Sequence, residues 1–234
     1  MGNRTLCIDI GGTGIKGTTY AEDGSALTER TRIETPRPAT PEAVLSTAVE
    51  VAARSGEFDR ISCGFPGVVM DGVIQTAPNL DGDWAGFPLA AELERRTGRP
   101  ARVMNDAAIQ GLAVIEGKGV ELVLTLGTGM GAGLYVDGHC IPLELAHHPS
   151  GFGKDGRTSY EDRVCESERK RIGKKKWQKR VLEVIQQLKP IINFRRLHLG
   201  GGNAVRLDPA VLPEWVTVVD NKAGMLGGLK LWVS

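Results

Sequence analysis

The feature that most constrains the fold is a pattern that occurs twice. The stretch LCIDIGGTGIKGTTYAEDG (6–24) reads as an apolar strand, a glycine turn, a second strand and an acidic-glycine turn. LVLTLGTGMGAGLYVDG (122–138) repeats this layout about half a chain later. A pattern that returns in this way indicates an internal duplication. We therefore predict an α/β chain of two similar domains that face each other, each offering a glycine turn to a phosphate chain.

Domain boundaries follow from the position of the second repeat. We place an N-terminal domain at residues 1–106 and a C-terminal domain at residues 107–219. The sequence NKAGMLGGLKLW predicts a helix within residues 220–234, which we expect to pack back on the N-terminal domain. Between the repeats, Thr40 and Pro41 predict the start of a helix that Gly56 ends.

Composition excludes several classes of protein. No apolar run approaches the ~20 residues that a membrane helix needs, and no leader resembles a signal peptide. The four cysteines are too scattered for a disulfide framework or a zinc knuckle, which favours reduced thiols in a cytoplasmic protein. They are Cys7, Cys63, Cys140 and Cys165.

One segment concentrates positive charge. Residues 166–180 (ESERKRIGKKKWQKR) carry a charge of +6, so the remainder of this chain of net charge +1 carries −5. Such a segment is either a solvated face or a site for a polyanion. No aromatic interleaving or recognised DNA-binding motif supports nucleic acid as that polyanion.

The basic segment also predicts two helices. RKRIG ends one at Gly173, and KKKWQKRVLEVIQQL forms the next, so that Lys174–Lys176 occupy a first helical turn, where cations oppose the helix dipole. That arrangement is easier to understand if an anionic chain binds there. The inward face of the second helix is predicted to consist of Trp177, Val181, Val184, Ile185 and Leu188.

The glycine turns do not predict a dinucleotide site. GTGMGA (127–132) fits the loose pattern GxGxxA, but that fingerprint requires the glycines to open a helix. Here a strand and an acidic-glycine turn follow, so we expect a hairpin. A glycine hairpin can present a nest of backbone N–H groups to phosphate oxygens.

Charged and hydroxyl side chains accompany these turns. Lys16 adds a positive charge, Thr13 and Thr128 add hydroxyl donors, and Asp9 ends the first strand. A carboxylate beside a phosphate turn is typical of a site that uses Mg²⁺. Alternatively, Asp9 makes only a local turn contact.

Asp106 is the main candidate for catalysis. ARVMND (101–106) predicts a strand that delivers Asn105 and Asp106 to the start of the helix AAIQGLAVIEG (107–117), where the dipole would keep the carboxylate ionised. Either residue would make a good helix cap. A cap needs only one of them, so the other is available as a general base for attack of a hydroxyl on a phosphoryl group.

The segment LELAHHP supplies Glu144, His147 and His148. A glutamate and a histidine three residues apart suit a metal, but no third ligand follows at a recognisable spacing. They equally suit the hydroxyls of a sugar, or a structural role. The residues alone leave these alternatives open.

Taken together, these motifs resemble the ROK family of sugar kinases, most closely its polyphosphate glucokinase branch. The resemblance implies two RNase H-like domains around a central cleft, as in the actin and hexokinase superfamily, and a homodimer. It covers almost the whole chain, in the order CIDIGGTGIKG, GFPGVV, APNLDGDW, VMNDAAIQG, LTLGTGMGAGL, ELAHH, TSYED, LGGGNA and AGMLGG.

The resemblance also implies roles for individual residues. Asp106 would take the proton from the 6-hydroxyl of the sugar. The remaining hydroxyls would be held by Asn79, Asn105, Glu144, His147 and Glu161. The phosphate turns would be Asp9, Gly11, Gly12, Thr13 and Lys16, then Gly127, Thr128 and Gly129, with Gly200, Gly201 and Gly202 where relatives bind the nucleotide.

Three departures from the family pattern concern the sugar site. Many relatives have a cysteine-rich zinc loop between the positions of His147 and Glu161, and HHPSGFGKDGRTSYE has no cysteine, so we expect no zinc. Ala146 stands where a glycine is usual. Ala108 and Ile109 stand where polar residues are usual, which bears on sugar specificity.

The expected activity is a cytoplasmic, Mg²⁺-dependent transfer of a terminal phosphoryl group from polyphosphate, or also ATP, to glucose, with Lys174, Lys175 and Lys176 contacting polyphosphate. One alternative is an ATP-dependent ROK hexokinase or glucomannokinase. Another is a non-catalytic sugar-binding regulator. Regulators of this family carry a DNA-binding domain ahead of the kinase-like part, and a first strand at Leu6 leaves no room for one here.

Overall fold

The computed structural model describes residues 2–153, 156–219 and 225–232. The chain divides into two compact units, Met1–Ala113 with Ala223–Ser234, and Val114–Lys222. Each unit has its own five-stranded sheet and its own apolar core. The division falls after Ala113, seven residues beyond the boundary that we expected after Asp106.

The first unit alternates strands with helices. In chain order its elements are β1 (Thr5–Ile10), β2 (Ile15–Tyr20), β3 (Thr31–Ile33), α1 (Pro41–Arg54), β4 (Arg60–Phe65), β5 (Val69–Met70), β6 (Val73–Ile74), α2 (Leu89–Thr97), β7 (Ala101–Asn105) and α3 (Asp106–Leu112). The main sheet has the order β3-β2-β1-β4-β7. β1, β2 and β3 form an antiparallel meander, and β4 and β7 run parallel to β1.

The second unit follows the same plan. Its elements are β8 (Val120–Leu126), β9 (Met130–Val136), β10 (His139–Ile141), α4 (Tyr160–Val164), α5 (Glu166–Ile172), α6 (Lys174–Ile192), β11 (Arg196–Gly200), two 3₁₀ turns (Ala204–Arg206 and Pro209–Val211) and β12 (Val216–Val218). The sheet order is β10-β9-β8-β11-β12. Here too a meander is extended by two parallel strands, so the predicted duplication is confirmed.

The helix predictions hold with two corrections. Thr40 is the N-cap residue of α1, but its side chain makes no capping hydrogen bond. α3 ends at Leu112 rather than near Gly117. Beyond the end of α3, the N–H groups of Glu116 and Gly117 donate to the buried carboxylate of Glu121 and not to helix carbonyls.

The basic segment folds as predicted. α5 ends at Gly173 and α6 begins at Lys174. The buried residues of α6 are Trp177, Val181, Val184, Ile185 and Leu188, as expected from their spacing. The indole N–H of Trp177 donates to the carbonyl of Val164 (2.8 Å), which ties α6 to α4.

The last described residues contact the first unit's sheet. They contain a one-turn helix, α7 (Gly227–Lys230), within the segment predicted to be helical; residues 220–224 and 233–234 of that prediction lie outside the described residues. Ser62 on β4 donates to the carbonyl of Gly228 (2.6 Å) and accepts from the indole of Trp232 (2.8 Å). Among the described residues, no helix is both long and apolar enough to cross a membrane.

Candidate active site

In the first unit the predicted site residues gather at one edge of the sheet. The parallel strands β1, β4 and β7 all end there. Asp9 is the penultimate residue of β1 and Asn105 is the last residue of β7. Because carboxyl ends of parallel strands form the usual ligand edge of an α/β sheet, this edge is the natural place for a binding site.

The first glycine turn follows β1 at this edge. It consists of Gly11–Gly14, four residues between the paired residues Ile10 and Ile15, and the N–H of Gly11 donates to the carbonyl of Gly14 (3.1 Å). Cross-strand neighbours Asp9 and Lys16 form an ion pair of 3.1 Å, with each side chain about one-third exposed.

Side chains from residues 32–37 hold the carbonyl oxygens of this turn. The bonds are Thr35 Oγ1 to Gly11 O, Arg37 Nη2 to Gly12 O (2.8 Å) and Arg32 Nη2 to Thr13 O (3.3 Å). In a planar trans peptide the C=O and the following N–H point in opposite directions. The N–H groups of Gly12, Thr13 and Gly14 therefore point away from these three side chains, as a phosphate nest requires.

Asn105 and Asp106 divide the two roles predicted for them. Asn105 is the N-cap of α3: its Oδ1 accepts from Ala108 N (3.1 Å), and its Nδ2 donates to Gly67 O (3.0 Å). Asp106 is the first helical residue, and one of its oxygens, Oδ1, accepts from the N–H of Ala107 (2.7 Å). The other oxygen remains available as a base.

The environment of Asp106 differs from our expectation. We expected the helix dipole to hold this carboxylate ionised, but burial raises its pKa from 3.8 to about 6. The hydrogen bond from Ala107 lowers this pKa, the negative charge of Asp9 raises it, and Lys16 lowers it. Burial dominates because desolvation disfavours the charged form. A base with a pKa near 6 is well suited to work near neutral pH.

Gly64 on β4 is a positioning residue that the sequence did not reveal. A Cβ at Gly64 would lie 3.4 Å from the Cα and 3.5 Å from the Cβ of Asp106. Glycine thus allows α3 to begin directly against the end of β4.

Asn79, one of the predicted sugar ligands, is exposed in a turn, with its backbone oxygen 4.0 Å from the position of a Cβ on Gly12. This places Asn79 beside the first glycine turn.

In the second unit the second and third glycine turns lie together. The second, Gly127–Gly129, follows β8 and closes with a bond from Gly127 N to Gly129 O (2.9 Å). The third, Gly200–Gly202, begins at the last residue of β11, which is parallel to β8. Gly201 has φ +86°, and a Cβ there would overlap the backbone of Leu126.

Glu161 contacts the second turn directly. Its Oε2 accepts from the N–H of Met130 (2.8 Å), and its carboxylate lies where a Cβ on Gly129 would be. The family resemblance implies Glu161 as a sugar ligand and Gly129 as part of a phosphate turn, and the structure brings the two residues together. The oxygen Oε1 is left as an acceptor.

The ELAHH segment lies beside the start of α4. Glu161 N donates to Ala146 O (2.9 Å), and Tyr160 N donates to His148 O (3.2 Å). His147, between them, is therefore close in space to Glu161, and both His147 and Glu144 are exposed. A capping box between Ser159 and Asp162 fixes the start of α4.

The basic segment contains two kinds of cation. Four of its side chains pair with Glu166 or Glu168; they are Arg169, Lys170, Arg171 and Arg180. The other four cations of the segment are exposed lysines that form no ion pair with any described residue; they are Lys174, Lys175, Lys176 and Lys179. α6 has no acidic residue in its first turn to offset them.

No preformed metal cage accompanies these elements. Within the described ranges, no three or more His, Cys, Asp or Glu side chains cluster with the geometry of a metal site.

All four cysteines are free thiols. Burial raises the pKa of the Cys7 thiol to about 12, which makes this thiol unreactive.

Known proteins resemble this chain in sequence and in fold. The sequence pattern of the ROK family matches residues 5–142. The polyphosphate glucokinase of Mycobacterium tuberculosis is 34% identical over 228 residues, which cover 92% of this chain and 82% of that protein. The polyphosphate glucokinase of Mycobacterium leprae is 31% identical over 239 residues, covering 96% and 69%.

A solved structure also resembles this chain, in both sequence and fold. The inorganic polyphosphate/ATP-glucomannokinase from Arthrobacter sp. strain KM superposes with a TM-score of 0.80 at 31% identity, covering 97% of each chain. The RNase H-like plan repeated in the two units is that of the actin and hexokinase superfamily. The chain belongs to the ROK family.

Proposed function

We propose that this chain is a glucokinase that transfers a terminal phosphoryl group from inorganic polyphosphate to the 6-hydroxyl of glucose. The observation that carries the proposal is the position of Asp106. It begins a helix at the carboxyl edge of the sheet, beside a glycine turn, with a pKa of about 6. The relatives named polyphosphate glucokinase support the donor and the acceptor.

In this proposal Asp106 accepts the proton of the glucose 6-hydroxyl as that oxygen attacks the phosphoryl group. Phosphoryl transfer depends mainly on positioning and charge neutralisation, so a carboxylate of moderate basicity is sufficient. Gly64 supports the role because it lets Asp106 sit directly against β4.

The remaining glucose hydroxyls are assigned to five side chains. They are Asn79, Asn105, Glu144, His147 and Glu161. Asn105 uses one donor and one acceptor for the protein itself, which leaves a second amide hydrogen and a second lone pair for sugar. Glu161 has Oε1 to offer. His147 is supported by its position next to Glu161.

The donor phosphates are assigned to the glycine turns. In the first unit these are Asp9, Gly11, Gly12, Thr13 and Lys16; in the second they are Gly127, Thr128, Gly129, Gly200, Gly201 and Gly202. We assign Lys174, Lys175 and Lys176 to contacts with polyphosphate, because these exposed lysines lack acidic partners in the described chain. Bringing three cations into a first helical turn costs about 0.3–1 kcal/mol each, which a bound polyanion would offset.

Mg²⁺ is part of the proposal, and the donor set fits it. This ion is commonly held by one or two carboxylates together with substrate phosphates and water, not by an all-protein cage. Asp9 is the carboxylate that would hold it, since it lies beside the first turn and is partly exposed. When bound, the ion would neutralise charge on the donor phosphates.

ATP is a second candidate donor. The glucomannokinase from Arthrobacter is named for both polyphosphate and ATP. The third glycine turn, packed against the second, supports a site for a nucleotide phosphate as well. A homodimer and a cytoplasmic location complete the proposal; the four free cysteines support a reducing compartment.

The test is formation of glucose 6-phosphate with Mg²⁺ and either polyphosphate or ATP as the sole donor, at low and high salt. We expect activity with polyphosphate that falls as salt rises, because salt screens exposed charges. Replacing Lys174, Lys175 and Lys176 by alanine should remove most of the salt dependence. Activity with ATP alone would reduce the assignment to an ATP-dependent kinase. Activity with neither donor would contradict it.

A further inference from the structure

Asn203 connects three parts of the second unit. It follows the third glycine turn and is almost completely buried, with 3% of its surface exposed. Its N–H donates to Leu126 O (2.9 Å), its Nδ2 donates to Gly127 O (3.1 Å), and its Oδ1 accepts from Arg169 Nε (3.1 Å). It thus binds the end of β8, the second glycine turn and α5.

Arg169 determines which way the Asn203 amide faces. A guanidinium can only donate hydrogen bonds, so it must face the carbonyl oxygen of the amide. The NH₂ group then necessarily faces Gly127 O. Arg169 is itself held by Glu166, whose carboxylate lies 3.5 Å away and whose N–H donates to the same Gly127 carbonyl (2.9 Å).

The orientation of that carbonyl decides the chemistry of the turn. Because the peptide is planar and trans, holding Gly127 O towards Asn203 directs the N–H of Thr128 the opposite way. If this peptide rotated by half a turn, the same place would present a carbonyl oxygen. A phosphate would then meet a partial negative charge instead of a hydrogen-bond donor.

We propose that Asn203 is a positioning residue for phosphoryl transfer, which keeps the Gly127–Thr128 peptide in the orientation that binds phosphate, with Arg169 fixing the Asn203 amide. The ligand is a phosphate group of the donor, in polyphosphate or ATP. The inference rests on the proposed function for the identity of the reaction, but it concerns donor binding, which is measurable without turnover.

Asn203→Asp is the decisive variant. An aspartate has the same shape and would pair strongly with Arg169, so the fold should be kept. Its second oxygen would face Gly127 O, however, and repel it. Asn203→Ala removes the bond without adding repulsion, and Arg169→Met frees the amide to turn. We expect donor binding to weaken by about 10- to 100-fold in N203D, less in N203A and least in R169M.

The measurements are calorimetric binding of tripolyphosphate, ATP and glucose, kcat and KM for each substrate, and the melting temperature. Glucose binding should stay within about two-fold of the unsubstituted protein. Asn193→Asp, which makes the same chemical change at the C-terminal cap of α6, is the control and should leave donor binding unchanged.

Three results would overturn the inference. One is donor binding in N203D equal to that of the unsubstituted protein. The second is a milder loss in N203D than in N203A, since a merely structural asparagine would be replaced well by an aspartate paired with Arg169. The third is that the unsubstituted protein binds no phosphate donor. If it binds donors but forms no glucose 6-phosphate, the proposed function fails while the binding comparison still decides the role of Asn203.

Discussion

In the first unit, three side chains from residues 32–37 hold the carbonyls of the glycine turn; in the second, one buried asparagine and one backbone N–H hold a single carbonyl. Both turns join the first two strands of equivalent meanders. The duplication therefore preserved the topology but not the contacts that orient the turns. Support in the first unit is spread over three side chains, two of them exposed arginines, whereas in the second unit it rests on one buried side chain and one backbone N–H.

The two units also differ in charge at equivalent places. Asp9 is the penultimate residue of β1, and the penultimate residue of β8 is Thr125. Asp106 follows the last strand of the first sheet, and Val219 follows the last strand of the second. Only the first unit thus has carboxylates at these positions, so in the proposed function proton transfer belongs to the first unit and phosphate binding to both.

The largest expected effect tests this division. Asp106→Asn should lower kcat by about 10³-fold, within the usual range for loss of a general base, while donor binding stays nearly unchanged. An asparagine can still accept the Ala107 hydrogen bond. Steady-state kinetics and calorimetric donor binding measure the two effects. A variant that keeps more than a tenth of kcat would contradict the assignment.

The same variant should be more stable than the original protein above pH 6. Because burial raises the pKa of Asp106 to about 6, the folded state binds a proton more tightly than the unfolded state. The free energy of unfolding therefore contains a favourable contribution from this proton that is fully present below pH 4 and is lost above pH 6. Removing the carboxylate should add about 1–3 kcal/mol to the free energy of unfolding at pH 8, which urea denaturation at pH 4 and pH 8 would measure.

Glycine-to-alanine variants compare how tightly the third and first glycine turns are packed against their neighbours. Gly201→Ala places a Cβ against the backbone of Leu126 at φ +86°, and should cost about 2–4 kcal/mol of stability. Gly202→Ala, its neighbour, meets nothing within 4 Å and is the matched control. In the first turn, Gly14→Ala meets only the end of the Arg32 side chain, at 2.8 Å, and should cost about 1 kcal/mol or less. Equal melting temperatures for G201A and G14A would refute the difference in packing.

The pH dependence tests the charges around Asp106. As pH falls through about 6 the carboxyl becomes protonated, so kcat/KM for glucose should drop, approaching ten-fold per pH unit. Lys16 lowers this pKa, so Lys16→Met should move the acid limb to higher pH. The donor phosphates titrate in a similar pH range, but their titration is the same for the unsubstituted protein and for Lys16→Met. Coincident acid limbs would mean that Asp106 does not control the profile.

Much of this arrangement was predictable because it rests on local signals. The spacing of apolar residues predicted the buried face of α6, including Trp177 and Leu188, and the strand-to-helix junction predicted Asp106 at the start of a helix. Each of these depends on residues close in sequence. The repeated strand-turn-strand pattern predicted both meanders for the same reason.

The contacts that orient the turns were not predictable. Arg32 and Arg37 reach the first turn only because β3 pairs with β2, and Asn203 reaches Gly127 only because β11 lies beside β8. The raised pKa of Asp106 likewise depends on burial by distant residues. A partial signal existed for Asn203, since it belongs to the motif LGGGNA, but the motif does not say which atoms it contacts.

The smallest expected effect concerns the redundancy of the first turn. Arg37→Ala removes the bond to Gly12 O and an exposed ion pair with Asp81 of 3.3 Å, and an exposed pair contributes little to stability. Thr35 and Arg32 still hold the neighbouring carbonyls, so the KM for the donor should rise by no more than about three-fold.

Removing a second support tests whether the first turn is truly redundant. In Thr35→Val with Arg37→Ala, two adjacent carbonyls lose their side-chain donors at once. If each donor compensates for loss of the other, the loss in donor kcat/KM should exceed the product of the two single effects, since sites that share one turn couple. Kinetics of the two single variants and the double variant form the cycle. A single R37A effect as large as that of N203A would mean that the two turns depend equally on one side chain, and the contrast between them would be wrong.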